Sequence, residues 1–248
     1  MRKFNLFKRT KAPPKKEPKK REPKKKEAVT KEVSDDLFNE PIAKATPNTF
    51  VNVSRKKFVE ELAKLGFEPE QWFGTVDYAH ALDEFQIFVG DIEQKGTLRF
   101  KAMNLLVMGS ISAEWLDAAN EIGEGGTLFV ANQVTCDFFS NYYGKLVVVG
   151  GDLHASKVIN NEFYDAALVV KKNLKTAYFH GVDIWAEVGV NIEMTYGNGY
   201  CLPIGYDDPG KQHVKPQHDY RASKEFLGVK DDDNESLNVW IESKLVNK

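Results

Sequence analysis

The sequence predicts a mainly β protein: a single-domain parallel β-helix (solenoid) with short capping helices and a disordered N-terminal tail. Two observations carry that reading. From Phe85 to Tyr206 the apolar residues alternate in short runs, punctuated by Gly, Asn and Asp, which is the period of strands rather than helices. Within that stretch one opening recurs: Gly96-Thr-Leu-Arg-Phe, Gly126-Thr-Leu-Phe-Val, Gly144-Lys-Leu-Val-Val, Ala166-Ala-Leu-Val-Val and Gly181-Val-Asp-Ile-Trp.

The chain divides into four parts. Residues 1–47 form a basic Lys/Pro-rich tail, 48–84 a helical cap, 85–206 the solenoid, and 207–248 an acidic segment with a closing helix. The net charge of −2 hides an asymmetry. Residues 1–26 carry +11 and the remainder −13, so a basic tail is attached to an acidic body. The tail repeats Pro-Lys-Lys motifs at Pro14, Pro18 and Pro23 and has too little apolar surface to offset its backbone entropy. Lys15, Lys16, Lys19, Lys20, Arg21, Lys24, Lys25 and Lys26 are the residues that would touch nucleic acid or anionic lipid, with Phe4, Leu6 and Phe7 dipping into a membrane interface.

Ser54 begins the first predicted helix, whose apolar residues Phe58, Leu62 and Leu65 share one stripe up to Gly66. A second helix is predicted over Ala113–Ile122, capped by Ser112 and stopped by Gly123. A third follows Asp231-Asp-Asp-Asn234 and places Leu237, Ile241 and Leu245 on one face. The first and third helices are expected to cover the two open ends of the solenoid.

In the repeat, Leu98, Leu128, Leu146, Leu168 and Ile184 are the expected anchors, spaced 30, 18, 22 and 16 residues apart. Leu105, Val134, Leu153, Leu174 and Ile192 form the expected second inward row. The gap of 30 is assigned to the helix at 113–122, and the gap of 22 to a loop at Asn160–Asp165. An antiparallel sandwich or barrel is the competing architecture. The recurrence of Leu-x-Val openings in register favours the solenoid.

Gly144-Lys-Leu-Val-Val-Val-Gly-Gly-Asp-Leu-His-Ala155 resembles the Gly-x-Leu-x-Val-x-Gly-Asp-Leu-x-Ala coil of the bactofilins, polymer-forming bacterial β-helices of the cytoskeleton. It is more similar still to bacterial β-helical proteins encoded near polymorphic toxins, in which an aromatic step like Phe138-Phe-Ser-Asn-Tyr-Tyr143 precedes this strand. The resemblance covers roughly residues 85 to 206 and implies a β-helix. For function it implies either an immunity-type protein that occludes a toxin, or a cytoskeletal scaffold tethered to membrane by the basic leader.

The sequence contains no GxSxG, no phosphate-binding loop, no HExxH and no HxE…PCxxC. The hexapeptide repeat of β-helical acyltransferases is missing too, which leaves a transferase-type enzyme as a minor alternative. His213 and His218 with Asp219 are weak metal candidates. His154 is expected to face outward opposite Leu153, and His180 to lie at a coil turn with no evident partner. The expected function is therefore non-catalytic protein binding, without cofactor or small-molecule substrate. Phe139, Tyr142, Tyr143, Phe163 and Tyr164 are the expected aromatic anchors, with Asp207 and Asp208 as an acidic rim steering a basic partner such as a cationic toxin. Self-association is the alternative. Cys136 and Cys201 are read as free thiols. No apolar run of about 18 residues is present, nor a signal peptide, so a cytoplasmic location, with peripheral attachment at the inner membrane, is expected.

Overall fold

The computed structural model describes residues 48–68, 84–118, 125–142, 145–197, 227–228 and 237–246. Side chains of 142, 162–165, 182–185 and 246 fall outside that description. The elements are β1 (Phe50–Val53), α1 (Arg55–Lys64), β2 (Phe85–Phe88), β3 (Ile92–Arg99), β4 (Asn104–Val107), β5 (Ile111–Asp117), β6 (Thr127–Val130), β7 (Val134–Tyr142), β8 (Leu146–Val149), β9 (Leu153–Val170), β10 (Asn173–Val188), β11 (Asn191–Gly197) and α2 (Leu237–Val246).

The strands wind into a β-solenoid of about five turns. One wall stacks β2, β4, β6, β8 and the ends of β9 and β10, all parallel. The other stacks β3, β5, β7, the starts of β9 and β10, and β11. In this second wall the inward parity changes along each strand. Val134 and Cys136 face the core, then Phe139; Leu153 and Ala155, then Ile159. A register shift between Cys136 and Phe138 marks the change, so the strand bends there into a near half and a far half.

The registers give the true repeat. Gln86, Leu105, Leu128, Val147, Leu168 and Ala186 lie in one row, spaced 19, 23, 19, 21 and 18. Ile92, Ile111, Val134, Leu153, Leu174 and Ile192 form another with identical spacings. The expected stacking of Val134, Leu153, Leu174 and Ile192 is correct. Leu98, however, stacks on Leu116 and Phe139 in the second wall, and Leu105 belongs with Leu128. The apparent gap of 30 arose from pairing residues of different rows.

Where the structure describes the helix expected at 113–122 it finds a strand instead: Ile111–Asp117 is β5, paired in parallel on both sides, and residues 119–122 lie outside the described residues. Ala-Glu-Trp-Leu favours helix locally, but two neighbouring ladders satisfy its backbone as a strand, and propensity is the smaller effect. Asn160–Asp165 is likewise no loop, since it lies inside β9. At the corner between the walls successive turns nearly touch. A Cβ on Gly109 would come within 2.2 Å of the Gly90 carbonyl oxygen, so only glycine fits.

First-wall strands are apolar on both faces (Asn-Leu-Leu-Val, Thr-Leu-Phe-Val, Leu-Val-Val-Val) because both faces are buried. Leu105, Leu128 and Val147 fill the lumen, while Leu106, Phe129 and Val148 point outward under α1. Ser54 caps α1, its side chain accepting from the Lys57 amide at 3.3 Å. Phe58 of α1 then stacks on Phe85 and Phe129, with ring centroids 5.2 and 6.2 Å away. Helix α1 therefore covers a flank of the solenoid rather than an end, and β1, antiparallel to β2, covers the edge of the first strand. Helix α2 does the same for the far half of the second wall, where Leu237 and Ile241 bury Trp115, Phe138, Val158 and Tyr178. The two predicted end caps are both side covers. The physical reason is the outward apolar row on each wall, which needs more cover than a terminal edge does.

Candidate interaction surface

With α1 over one wall and α2 over the far half of the other, the near half of the second wall carries the polar outer surface. Its outward row is Glu93, Ser112, Thr135, His154, Lys175 and Glu193, in register from coil to coil. All are exposed except His154, which is half-buried. Stacked strands lie about 4.8 Å apart, so the row runs for roughly 24 Å across a β surface. Lys175 pairs with Glu193 at 2.7 Å. Behind the row, Asp137 takes the Lys157 ammonium at 2.8 Å and the Ser156 hydroxyl at 2.6 Å, and Lys157 also lies over the Phe138 ring at 4.9 Å. The surface alternates in sign, and exposed pairs of this kind fix orientation more than they add affinity.

The aromatic anchors expected from the sequence do not line this surface. Phe139 is fully buried in the lumen, between Leu116 and Ile159. Phe138 and Tyr178 are likewise sealed beneath α2. The parity change at the bend decides this, because it turns Phe139 inward and Phe138 toward the helix. The Tyr142, Phe163 and Tyr164 side chains, and Tyr143, Asp207, Asp208, the metal candidates His213 and His218, and the basic residues Lys15 to Lys26 lie outside the described residues. His154 faces outward as expected. His180 is not at a turn: it sits in β10, buried, with Nδ1 3.5 Å from the Tyr178 hydroxyl.

The buried polar groups that sequence reading missed lie at the other corner, where the far half of the second wall meets the first wall. Asp117, Ser140, Asn160 and His180 form one outward row beneath α2. Ser140 Oγ accepts from Trp115 Nε1 at 2.9 Å and donates to Asn238 Oδ1 of α2 at 2.8 Å, and Asn160 Nδ2 donates to the same oxygen at 3.0 Å. Asp117 holds Arg99 at 2.7 Å, and Arg99 reaches Glu242 of α2 at 3.1 Å, so its guanidinium is held above its ordinary pKa mainly by the Asp117 hydrogen bond. Arg99 also lies over the Trp115 ring, 5.1 Å from its centroid. Lys145 is wholly buried, and burial pulls its pKa down to about 7 against the opposing charge of Asp117. The signals in the sequence are Ser140-Asn141 near the end of β7, which falls in the aromatic step, and Asn160-Asn161 within β9, which falls in the expected loop.

The chain matches no family model, no curated protein and no solved structure. The likeness of residues 144–155 to bactofilin coils rests on the sequence pattern alone.

In chemical terms, Asp117, Ser140 and His180 resemble a hydrolytic set only by composition. The coil of Asn160 separates Ser140 from His180, and the Ser140 proton already goes to Asn238. A serine nucleophile needs that proton directed to a base. Among the described residues no group of three or more His, Cys, Asp or Glu is arranged to hold a metal. No described helix is long and apolar enough to cross a membrane.

Proposed function

We propose that this chain is a non-catalytic protein-binding β-solenoid that presents the near half of its second wall to another protein, and that occlusion of a bacterial toxin is its most concrete role. The observation that carries the reading is the unequal treatment of the walls. Both apolar outer faces are sealed by the chain's own helices, while the row Ser112, Thr135, Lys175 and Glu193 is exposed in a regular array. A regular polar array on a rigid scaffold suits docking of a preformed surface, with little ordering cost on binding.

The test places a photo-crosslinking amino acid at Thr135 or Lys175, with Lys56 on the exposed side of α1 as control, in the native host. Adducts to one protein from the wall positions and none from Lys56 support the reading. Adducts from Lys56 alone refute it.

A second reading, a bactofilin-like scaffold, draws on the two terminal strands. Among the described residues β3 pairs only with β5, and β11 only with β10, so each offers an edge to a further copy. Light scattering separates the two: discrete small species favour the binding module, filaments the scaffold. The basic segment supplies attachment to anionic membrane or nucleic acid in either case. Replacing Lys15, Lys16, Lys19 and Lys20 by Gln weakens sedimentation with anionic vesicles if it does.

A further inference from the structure

Inside the lumen, one row interrupts the apolar filling. Asn141 and Asn161 stack in register at the corner where the second wall returns to the first, and Gly181 follows them. Both side chains are fully buried. Asn141 Nδ2 donates to the carbonyls of Lys145 (3.2 Å) and Ala167 (3.0 Å), which fixes the orientation of its amide and leaves Oδ1 turned away without a partner. Asn161 has no hydrogen-bond partner at either Nδ2 or Oδ1.

The difference between the two lies in the length of the turn. Leu146 comes five positions after Asn141, but its register partner Ala167 comes six after Asn161. The extra residue carries the matching carbonyls out of reach of the Asn161 amide. The next residue in the row, Gly181, has no side chain to fill the space or to supply a partner.

We propose that this corner of the lumen is a binding site for water, one or two molecules bridging the Asn161 amide to Asn141 Oδ1. A buried amide left unpaired is costly, and a water needs two to four polar partners to be held. Asn161 Nδ2, Asn161 Oδ1 and Asn141 Oδ1 supply a donor and two acceptors, which water can match because it both gives and takes hydrogen bonds. An anion would meet two carbonyl oxygens here. A metal cation would meet two oxygens and the Asn161 NH2 group, with the Lys145 side chain starting at the same corner. The site is internal, so it is independent of the wall proposed to bind a partner. It accounts for two asparagines in a row whose preceding member, just past the end of β5, is Ala118.

The test is a high-resolution crystal structure of the full chain, together with water-oxygen-17 relaxation dispersion in solution. The expected result is density within hydrogen-bonding distance of the Asn161 amide and a long-lived internal water signal, which Asn161→Leu removes. Empty density at the corner, or amides that reorient to bond one another directly, overturns the proposal. So does a dispersion signal that persists unchanged in a folded Asn161→Leu protein. If Asn161→Leu does not fold, the density and the wild-type signal decide alone.

Discussion

Replacing Asn238 by Ala tests whether α2 is keyed into the wall or merely lies on it. Asn238 Oδ1 is the acceptor for two donors, the Ser140 hydroxyl at 2.8 Å and the Asn160 amide at 3.0 Å, both on side chains with no solvent exposure. The truncation leaves two buried donors without a partner, and each orphan costs about 1–3 kcal/mol. Ser140 still accepts from Trp115 Nε1, and water can enter beside a half-buried helix position, so the lower half of the summed range is appropriate. The expected loss is about 2–4 kcal/mol. A ten-residue helix is also too short to persist without its seat, so the loss includes fraying of α2. Urea unfolding followed by tryptophan fluorescence reads it out, because Trp115 lies under α2 and Trp240 on it, its ring 6.2 Å from Phe138. Val239→Ala on the outward side of the same helix, 45% exposed, is the control and should stay within about 0.5 kcal/mol of wild type. An Asn238→Ala protein as stable as Val239→Ala would refute the reasoning.

Three further outcomes follow from the same corner and the lumen. Asp117→Ala removes the buried partner of Arg99, whose guanidinium stays 40% exposed and keeps Glu242, and should cost about 1–2 kcal/mol, whereas Glu242→Gln, which breaks only the exposed half of the network, should cost under about 0.5 kcal/mol; equal losses by urea titration would contradict the assigned burial. Lys145 in the folded state holds its proton less tightly than in the unfolded chain (about 7 against 10.5), so unfolding takes up a proton between those values and its destabilising contribution fades as pH rises. The stability advantage of Lys145→Met over wild type should accordingly shrink by up to ~1.4 kcal/mol per pH unit from pH 7 to 10, and a constant advantage would exclude a depressed pKa. Burial pushes the Cys136 thiol far above its ordinary pKa, so mass spectrometry should find it unalkylated in the native protein and alkylated in urea; rapid native labelling at Cys136 would show that the lumen opens.

What the sequence by itself determined is the kind of fold. Period-2 runs with repeated Leu-x-Val openings cannot bury a helix face, and their recurrence every 16 to 22 residues favours stacked coils; Val134, Leu153, Leu174 and Ile192 were legible as one row. Ser54 and the stripe of Phe58 and Leu62 likewise specified α1, because capping and helical periodicity act locally. Tertiary structure alone decided the rest. Which residue faces in depends on the bend in each second-wall strand, which reverses parity and sends Phe139 to the lumen and Phe138 to α2. No local pattern announces that reversal. Residues 113–117 became a strand because neighbours on both sides offered hydrogen bonds, a cause that lies 18 to 23 residues away in the chain. Beyond its Ser-Asn and Asn-Asn steps the polar corner was not legible, for the same reason: Asp117, Ser140, Asn160 and Asn238 become a network only when stacking and α2 bring them together.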